Sequence, residues 1–417
     1  MWSRRGFGQK LLGALFDRGP SLLQSMPGML SAGFIARRGA AVSRRAEGQA
    51  LVHGRWRSFE LDQPFRVASV SKMVTATGFM SLVSQGRIDL DADVSTHLGE
   101  TLRHPAFPEV AITSRMLLSH TSGLRNGADF PVPFDRPLLS RLREAAHEAN
   151  YGGWFAPPAE PPGHWFSYSD TNFAVVAQIV ERVTGVRFDR FMRETLFEPL
   201  DLDIGYNWSG VSPAKRNRAA AACRWDGSEW SAQVDGAPPR APEIAFYRGE
   251  NNDAATEADY SVGLNGFAFA PHGGLRVSVS DMDRLARSYL DGAPLAGAGS
   301  LALMSTPYWT FDPSAPNGMT ERGWYQSFGL GVHVALARNA PGASPGDNFF
   351  GASTRDWRGH LGDAYGWMTG LFWNARDRTT LAWAINGMPE TDRPPGLRSA
   401  LSAPEEAVID SAMAAVR

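Results

Sequence analysis

At 417 residues, 43% hydrophobic and 20% charged, the chain is too long for one ordinary core and too apolar to be disordered, so two packed lobes are expected. Its 41 basic and 43 acidic residues leave a net charge of -2 with no long run of one sign, which argues against a nucleic-acid partner. The single cysteine, Cys223, makes neither an internal disulfide nor a metal cluster, and the histidines lack His-Glu-x-x-His spacing, so no cofactor or metal is expected.

The first 28 residues read as an N-terminal extension. Ser3-Arg4-Arg5-Gly6-Phe7 looks like a twin-arginine export signal, but the apolar run from Leu11 to Phe16 stops at Asp17, short of the roughly 7–15 apolar residues a leader needs. A cytoplasmic protein is therefore expected, with export as the alternative. No stretch approaches the roughly 20 apolar residues of a spanning helix, so no integral membrane segment is expected. From Met29 to Val67 short apolar runs alternate with arginines and glycines, which suits an edge hairpin or small sheet.

From Ser69 to Ser84 the pattern changes. No charge occurs from Met73 to Gln85, and Gly86 follows as a stop, so this is a central helix buried on all sides. Residues 90–270 are rich in Pro, Gly and Trp, with helices predicted over Arg115–Ser119 and Phe173–Val183. Ser280–Leu290 is amphipathic, with Ser280 as N-cap. Strands are predicted over Phe328–Val334, Tyr365–Trp373 and Thr379–Asn386, and Ser402-Ala403-Pro404-Glu405 opens a last helix as a capping box. These elements predict an α+β fold: an antiparallel β-sheet flanked by helices, closed by both ends of the chain, with an inserted mostly helical lobe. Residues 29–68 plus 271–417 would form the sheet lobe and 69–270 the helical lobe, with an active site between them.

Chemistry concentrates at the entrance of the buried helix. Ser69 and Lys72, three residues apart, share a helical face. Lys72 is the only charge on that helix before Gly86, and a buried ammonium without a partner loses its proton and becomes a base. The positive end of the helix dipole adds to this, and it also favours a developing alkoxide on Ser69. The plainer alternative makes Ser69 an N-cap and Lys72 a snorkelling surface cation. Spacing alone is weak, because Ser212 and Lys215 repeat it in a polar stretch with no apolar helix behind them. A Gly-x-Ser-x-Gly match at Gly342–Gly346, centred on Ser344, sits among turn formers and reads as a surface loop, not a strand-to-helix elbow.

The Ser-x-x-Lys element is similar to the serine motif of β-lactamases and penicillin-binding proteins. Further matches follow in order: Arg115–Leu124, Phe166–Asn172, Gly273–Ser278 and Gly359–Gly362. Over residues 30–390 the chain resembles the class C β-lactamase-like, D,D-peptidase-like and family VIII esterase-like branch of that superfamily. The resemblance implies Ser69 as nucleophile, with Lys72 and Tyr168 (as phenol or phenolate) moving protons, and the backbone N–H groups of Ser69 and Asp363 as oxyanion hole. It also implies substrate contacts from Asp170, His360 and Gly362, with Trp357 and Trp165 among the aromatics that could wall the pocket. Two departures stand out. Tyr168-Ser169-Asp170 has Asp where the family's motif has Asn, and His360-Leu361-Gly362 replaces the Lys-Thr-Gly of many members, a variant also seen in esterase-like and peptidase-like branches. His97-Leu98-Gly99 and His272-Gly273-Gly274 also fit His-x-Gly, but only His360 opens an apolar strand. Imidazole in place of an ammonium weakens carboxylate recognition and favours neutral esters. The expected function is a serine hydrolase acting through an acyl-enzyme, a carboxylesterase on small-molecule esters. β-Lactam or D-amino-acid peptide and amide hydrolysis, or a non-catalytic penicillin-binding or sensor protein, are the alternatives.

Overall fold

Apolar segments from the two ends of the chain meet in one antiparallel sheet. The computed structural model describes residues 21–133, 135–234, 247–248, 253–254, 260–292, 297–337, 346–351 and 356–417. Strands β1 (Ser31–Arg38), β2 (Ala41–Val52) and β3 (Arg55–Ser58) follow one another through short turns. The middle of the chain contributes α1 (Val70–Ser84), α2 (Ser114–Leu118) and α3 (Asp170–Thr184). After α4 (Val279–Leu290) come β4 (Trp309–Thr310), β5 (Ser327–Phe328) and β6 (His333–Ala335). The long strands β7 (Trp357–Ala364), β8 (Trp367–Asn374) and β9 (Thr379–Asn386) precede the last helix, α5 (Ala403–Ala414).

The strand order is β4-β5-β6-β7-β8-β9-β1-β2-β3. The sheet is closed by both ends of the chain, as the sequence predicts: β1 pairs along its whole length with β9, from Ser31 opposite Asn386 to Arg38 opposite Thr379, and the hairpin runs on through β2 to the edge. Only β3, exposed throughout, remains outermost on that side.

Side-chain alternation divides the interior into two cores. Trp367, Leu371 and Trp373 of β8 join one core, with Ala382 and Ala384 of β9; Met368, Phe372, Leu381, Trp383 and Ile385 join the other. Helix α4 packs on β8, β9 and β1 through the first, and α5 on β1 and β9 through the second. Burial on both faces is why β8 and β9 read in sequence as continuous apolar runs.

Boundaries moved where glycines or caps intervene. The strand predicted over Phe328–Val334 is a hairpin, because Gly331 takes φ +68° and Phe328 turns back to pair with His333. Tyr365 (φ +57°) and Gly366 (φ +104°) form the β7–β8 turn, which removes them from the predicted strand. The N-cap of α4 is Ser278, not Ser280: its Oγ accepts from Asp281 N at 3.2 Å while Asp281 Oδ2 accepts from Ser278 N at 2.9 Å. The Ser402–Glu405 capping box forms as read. Among the described residues no helix is long and apolar enough to cross a membrane.

Candidate active site

A sharp turn sets Ser69 at the mouth of α1. Phe65–Arg66 pairs with Arg276–Val277, and Ala68 then takes φ +55°, a left-handed conformation that costs energy in a residue with a β-carbon. Ser69 itself is helical, and its hydroxyl caps none of the free N–H groups of α1. The Oγ is therefore available to Lys72, whose Nζ lies 3.0 Å away.

Lys72 is fully buried. Its Nζ touches two more oxygens, the His272 carbonyl at 2.9 Å and Asp170 Oδ1 at 2.6 Å. The sequence predicts a buried ammonium without a partner, whereas the structure sets a carboxylate beside it. Burial still holds the Lys72 pKa below the ordinary lysine value, with Asp170 pulling the other way. For Asp170 burial pushes the carboxyl up, but the charge and hydrogen bond of Lys72 lead the influences that override it and hold the group at about 2.

Asp170 lines the cavity in front of Ser69, with 22% of its side chain exposed. Its carboxylate is nonetheless engaged by Lys72 and by Asn126 Nδ2 at 3.3 Å, so it is a partner of the lysine before it is a substrate contact. The free N–H groups at the start of α3 are capped from Asn126, whose Oδ1 accepts from the backbone N–H of Asp170 at 2.9 Å and of Thr171 at 3.2 Å.

Tyr168 lies over the same lysine, with Nζ 4.7 Å from its ring centre. Its ring stacks on Tyr325 at 5.0 Å and packs against His120 at 4.4 Å. Burial, then the charge of Asp170, raise its pKa well above the ordinary phenol value, so the neutral phenol is the resting form. His120 accepts through Nδ1 from Ser169 N and from Asn172 Nδ2, both at 3.1 Å, which fixes the chain on either side of Asp170. Burial, with Lys72 and His360 adding to it, keeps the His120 ring neutral.

On β7, His360 and Gly362 face α1, whereas Trp357 and Leu361 have the opposite parity and face the other core. Gly362 is the close approach: a β-carbon there would lie 2.3 Å from Val67 O and from Thr369 Oγ1, and 3.3 Å from Ser69 N. His360 is fully buried, its Nδ1 at 2.5 Å from Leu361 O, in contact with Tyr168, Tyr325 and Phe328 and absent from the cavity wall. Burial and then Lys72 depress its pKa to about 3. As a direct substrate contact His360 is therefore corrected to a neutral side chain behind Tyr168.

Two more expectations change. Trp357 is buried against Phe350, ring centres 4.0 Å apart, on the face of the sheet away from Ser69, so it cannot wall the pocket. Trp165 is half-buried at the Pro161 turn and does not line the cavity. The cavity holds about 230 Å³, bounded by Arg66, Ser69, Phe130, His272, Asp363 and Tyr365. Of these, His272 was set aside in the sequence as a chance His-x-Gly match; its place directly before the Gly273–Ser278 motif is the signal that could have found it. Asp363 gives its carboxylate to Arg393 at 2.6 and 2.8 Å, a contact across 30 positions with no local signature. Ser344 lies outside the described residues, and Asp347–Phe350 beside it is turn, not helix. Among the described residues no cluster of His, Cys, Asp or Glu could hold a metal ion.

A sheet closed by both chain ends, with a Ser-x-x-Lys pair at the head of a buried helix and a tyrosine over the lysine, defines the serine β-lactamase and penicillin-binding protein fold. The chain belongs to the beta-lactamase family, whose model matches residues 30–404. It is 34% identical over 143 residues to penicillin-binding protein 4 of Amycolatopsis lactamdurans, covering 34% of this chain and 35% of that one. It is 32% identical over 182 residues to esterase EstB of Burkholderia gladioli, covering 41% and 45%. The matched segments thus span less than half the length of these relatives. Among solved structures, a β-lactamase/D-alanine carboxypeptidase from Yersinia pestis superposes with a TM-score of 0.63 at 16% identity, covering 95% of both chains.

Proposed function

We propose that the protein is a serine hydrolase that works through an acyl-enzyme and acts as a carboxylesterase on neutral esters. The observation that carries this reading is the contact between the buried Nζ of Lys72 and an uncapped Ser69 hydroxyl. Ser69 Oγ attacks the ester carbonyl and its proton passes to Lys72. The oxyanion is held by the N–H groups of Ser69 and Asp363. The tetrahedral intermediate expels the alcohol, which leaves with a proton delivered through Lys72 and the Tyr168 phenol. Water then attacks the acyl-serine, its proton follows the same route, and the acid departs.

Neutral esters are favoured because His360, at the position where the resemblance puts the lysine of many members, is uncharged and fully buried. The second reading, hydrolysis of β-lactams or D-amino-acid amides, draws on Arg66, a guanidinium on the cavity wall that could meet a substrate carboxylate. The similarity to an esterase and to a penicillin-binding protein supports the two readings about equally. The test is a fluorophosphonate probe followed by rates on p-nitrophenyl butyrate, a cephalosporin and D-alanyl p-nitroanilide. Labelling that Ser69→Ala abolishes, with the ester fastest, is the expected result. A faster cephalosporin or anilide selects the second reading, and labelling indifferent to Ser69→Ala overturns both.

A further inference from the structure

The three oxygens around Lys72 differ in what they can do. The His272 carbonyl and the Asp170 carboxylate only accept hydrogen bonds, whereas the Ser69 hydroxyl accepts or donates. An ammonium has three N–H groups and no lone pair, so it satisfies all three oxygens and Ser69 is held as an acceptor. A neutral amine has two N–H groups and one lone pair. With His272 O and Asp170 taking the N–H groups, the lone pair has one place to point, at the Ser69 O–H. The same geometry therefore serves both proton states, and one proton decides whether Ser69 is restrained or activated.

We propose that Asp170 is the positioning residue that selects between these two states: its carboxylate aims the Lys72 lone pair at Ser69 and holds the lysine charged until the solution is alkaline enough to release it. This deepens the esterase reading and rests on Ser69 being its nucleophile. Among the described residues Asp170 is the carboxylate that acts on Lys72, and the other titratable groups that face it add little charge: His120 and His360 are neutral, His272 is held at about 4, and Tyr168 is a phenol.

The chain has only three lysines, Lys10, Lys72 and Lys215, so lysine labelled with carbon-13 at Cε resolves Lys72 by NMR, with Lys72→Arg giving the assignment. The experiment titrates that signal, and kcat/KM on p-nitrophenyl butyrate, in the wild type, Asp170→Asn and Asp170→Glu. Loss of an adjacent opposite charge should move the Lys72 midpoint down by about 1–3 pH units in Asp170→Asn. The alkaline rise of kcat/KM should shift with it, and Asp170→Glu, which keeps the charge, should stay near the wild type. A Lys72 midpoint that does not move in Asp170→Asn overturns the proposal, as does a midpoint that moves without the rate profile. Absence of Ser69-dependent turnover in the wild type removes the esterase reading instead, and the NMR titration still decides whether Asp170 holds the charge of Lys72.

Discussion

Ser69 with Lys72 and Ser212 with Lys215 have the same spacing, and each lysine has a carboxylate partner, Asp170 at 2.6 Å and Asp281 at 2.5 Å. Their serines are used differently. Ser212 Oγ caps a four-residue helix by accepting from Lys215 N at 3.3 Å and donates to Asp203 Oδ2 at 2.5 Å, so the hydroxyl is fully occupied. Lys215 Nζ reaches the Asp203 carbonyl at 2.8 Å rather than the serine. Ser69 caps nothing, and the fifteen-residue helix behind it buries Lys72 completely, where Lys215 keeps 15% of its side chain exposed. Spacing brings a serine and a lysine to one face; an uncapped hydroxyl and a dry lysine make them a reactive pair.

The sharpest break between the two is substitution of each serine. Ser69→Ala should lower ester turnover by about 10³-fold or more. Ser212→Ala should leave kcat/KM within about twofold and instead cost about 1 kcal/mol of stability, read from urea midpoints. Equal losses of activity would erase the distinction. Next in size, Lys72→Met should reduce kcat by about 10²–10⁴-fold, the usual scale for a lost proton carrier. Lys215→Met should spare the rate and lower the melting temperature, because Asp281 is left with 8% exposure and no cation.

Packing behind Ser69 offers a third test. In Gly362→Ala the new methyl would meet Val67 O and Thr369 Oγ1 at 2.3 Å and displace the strand beside the nucleophile. A shift of about 1 Å there should cost about 10²-fold in kcat/KM on p-nitrophenyl butyrate.

A last test leaves the site and concerns Glu405, a buried carboxyl whose Oε1 has no hydrogen-bond partner among the described residues. Burial lifts it from 4.5 to about 7, with Ser402 opposing. A raised pKa in the folded state means its share of stability is complete below pH 4.5 and is lost as the pH climbs through about 7. The loss amounts to about 3 kcal/mol, and urea midpoints of Glu405→Gln across that range should fall less than those of the wild type.

Much of the architecture was legible because it rests on local rules. The uncharged run after Lys72 marks a helix buried on every side, Thr379–Asn386 marks a strand buried on both faces, and Ser402–Glu405 marks a cap. Errors arose where a second segment decides the outcome. Trp357 looked like pocket lining because it is near His360 in sequence, yet three residues along a strand reverses the face. Asp170 looked like a substrate contact because Lys72, which engages its carboxylate, lies 98 positions earlier.

The sequence by itself determined which residues are apolar, which turn or cap, and that a serine and a lysine share one face at the head of an oily helix, since these follow from side-chain chemistry and the helical and strand periods. Only the tertiary structure decided that the lysine has a carboxylate beside it and a carbonyl below it, because both come from segments 98 and 200 positions away and a charge interaction depends on distance in space.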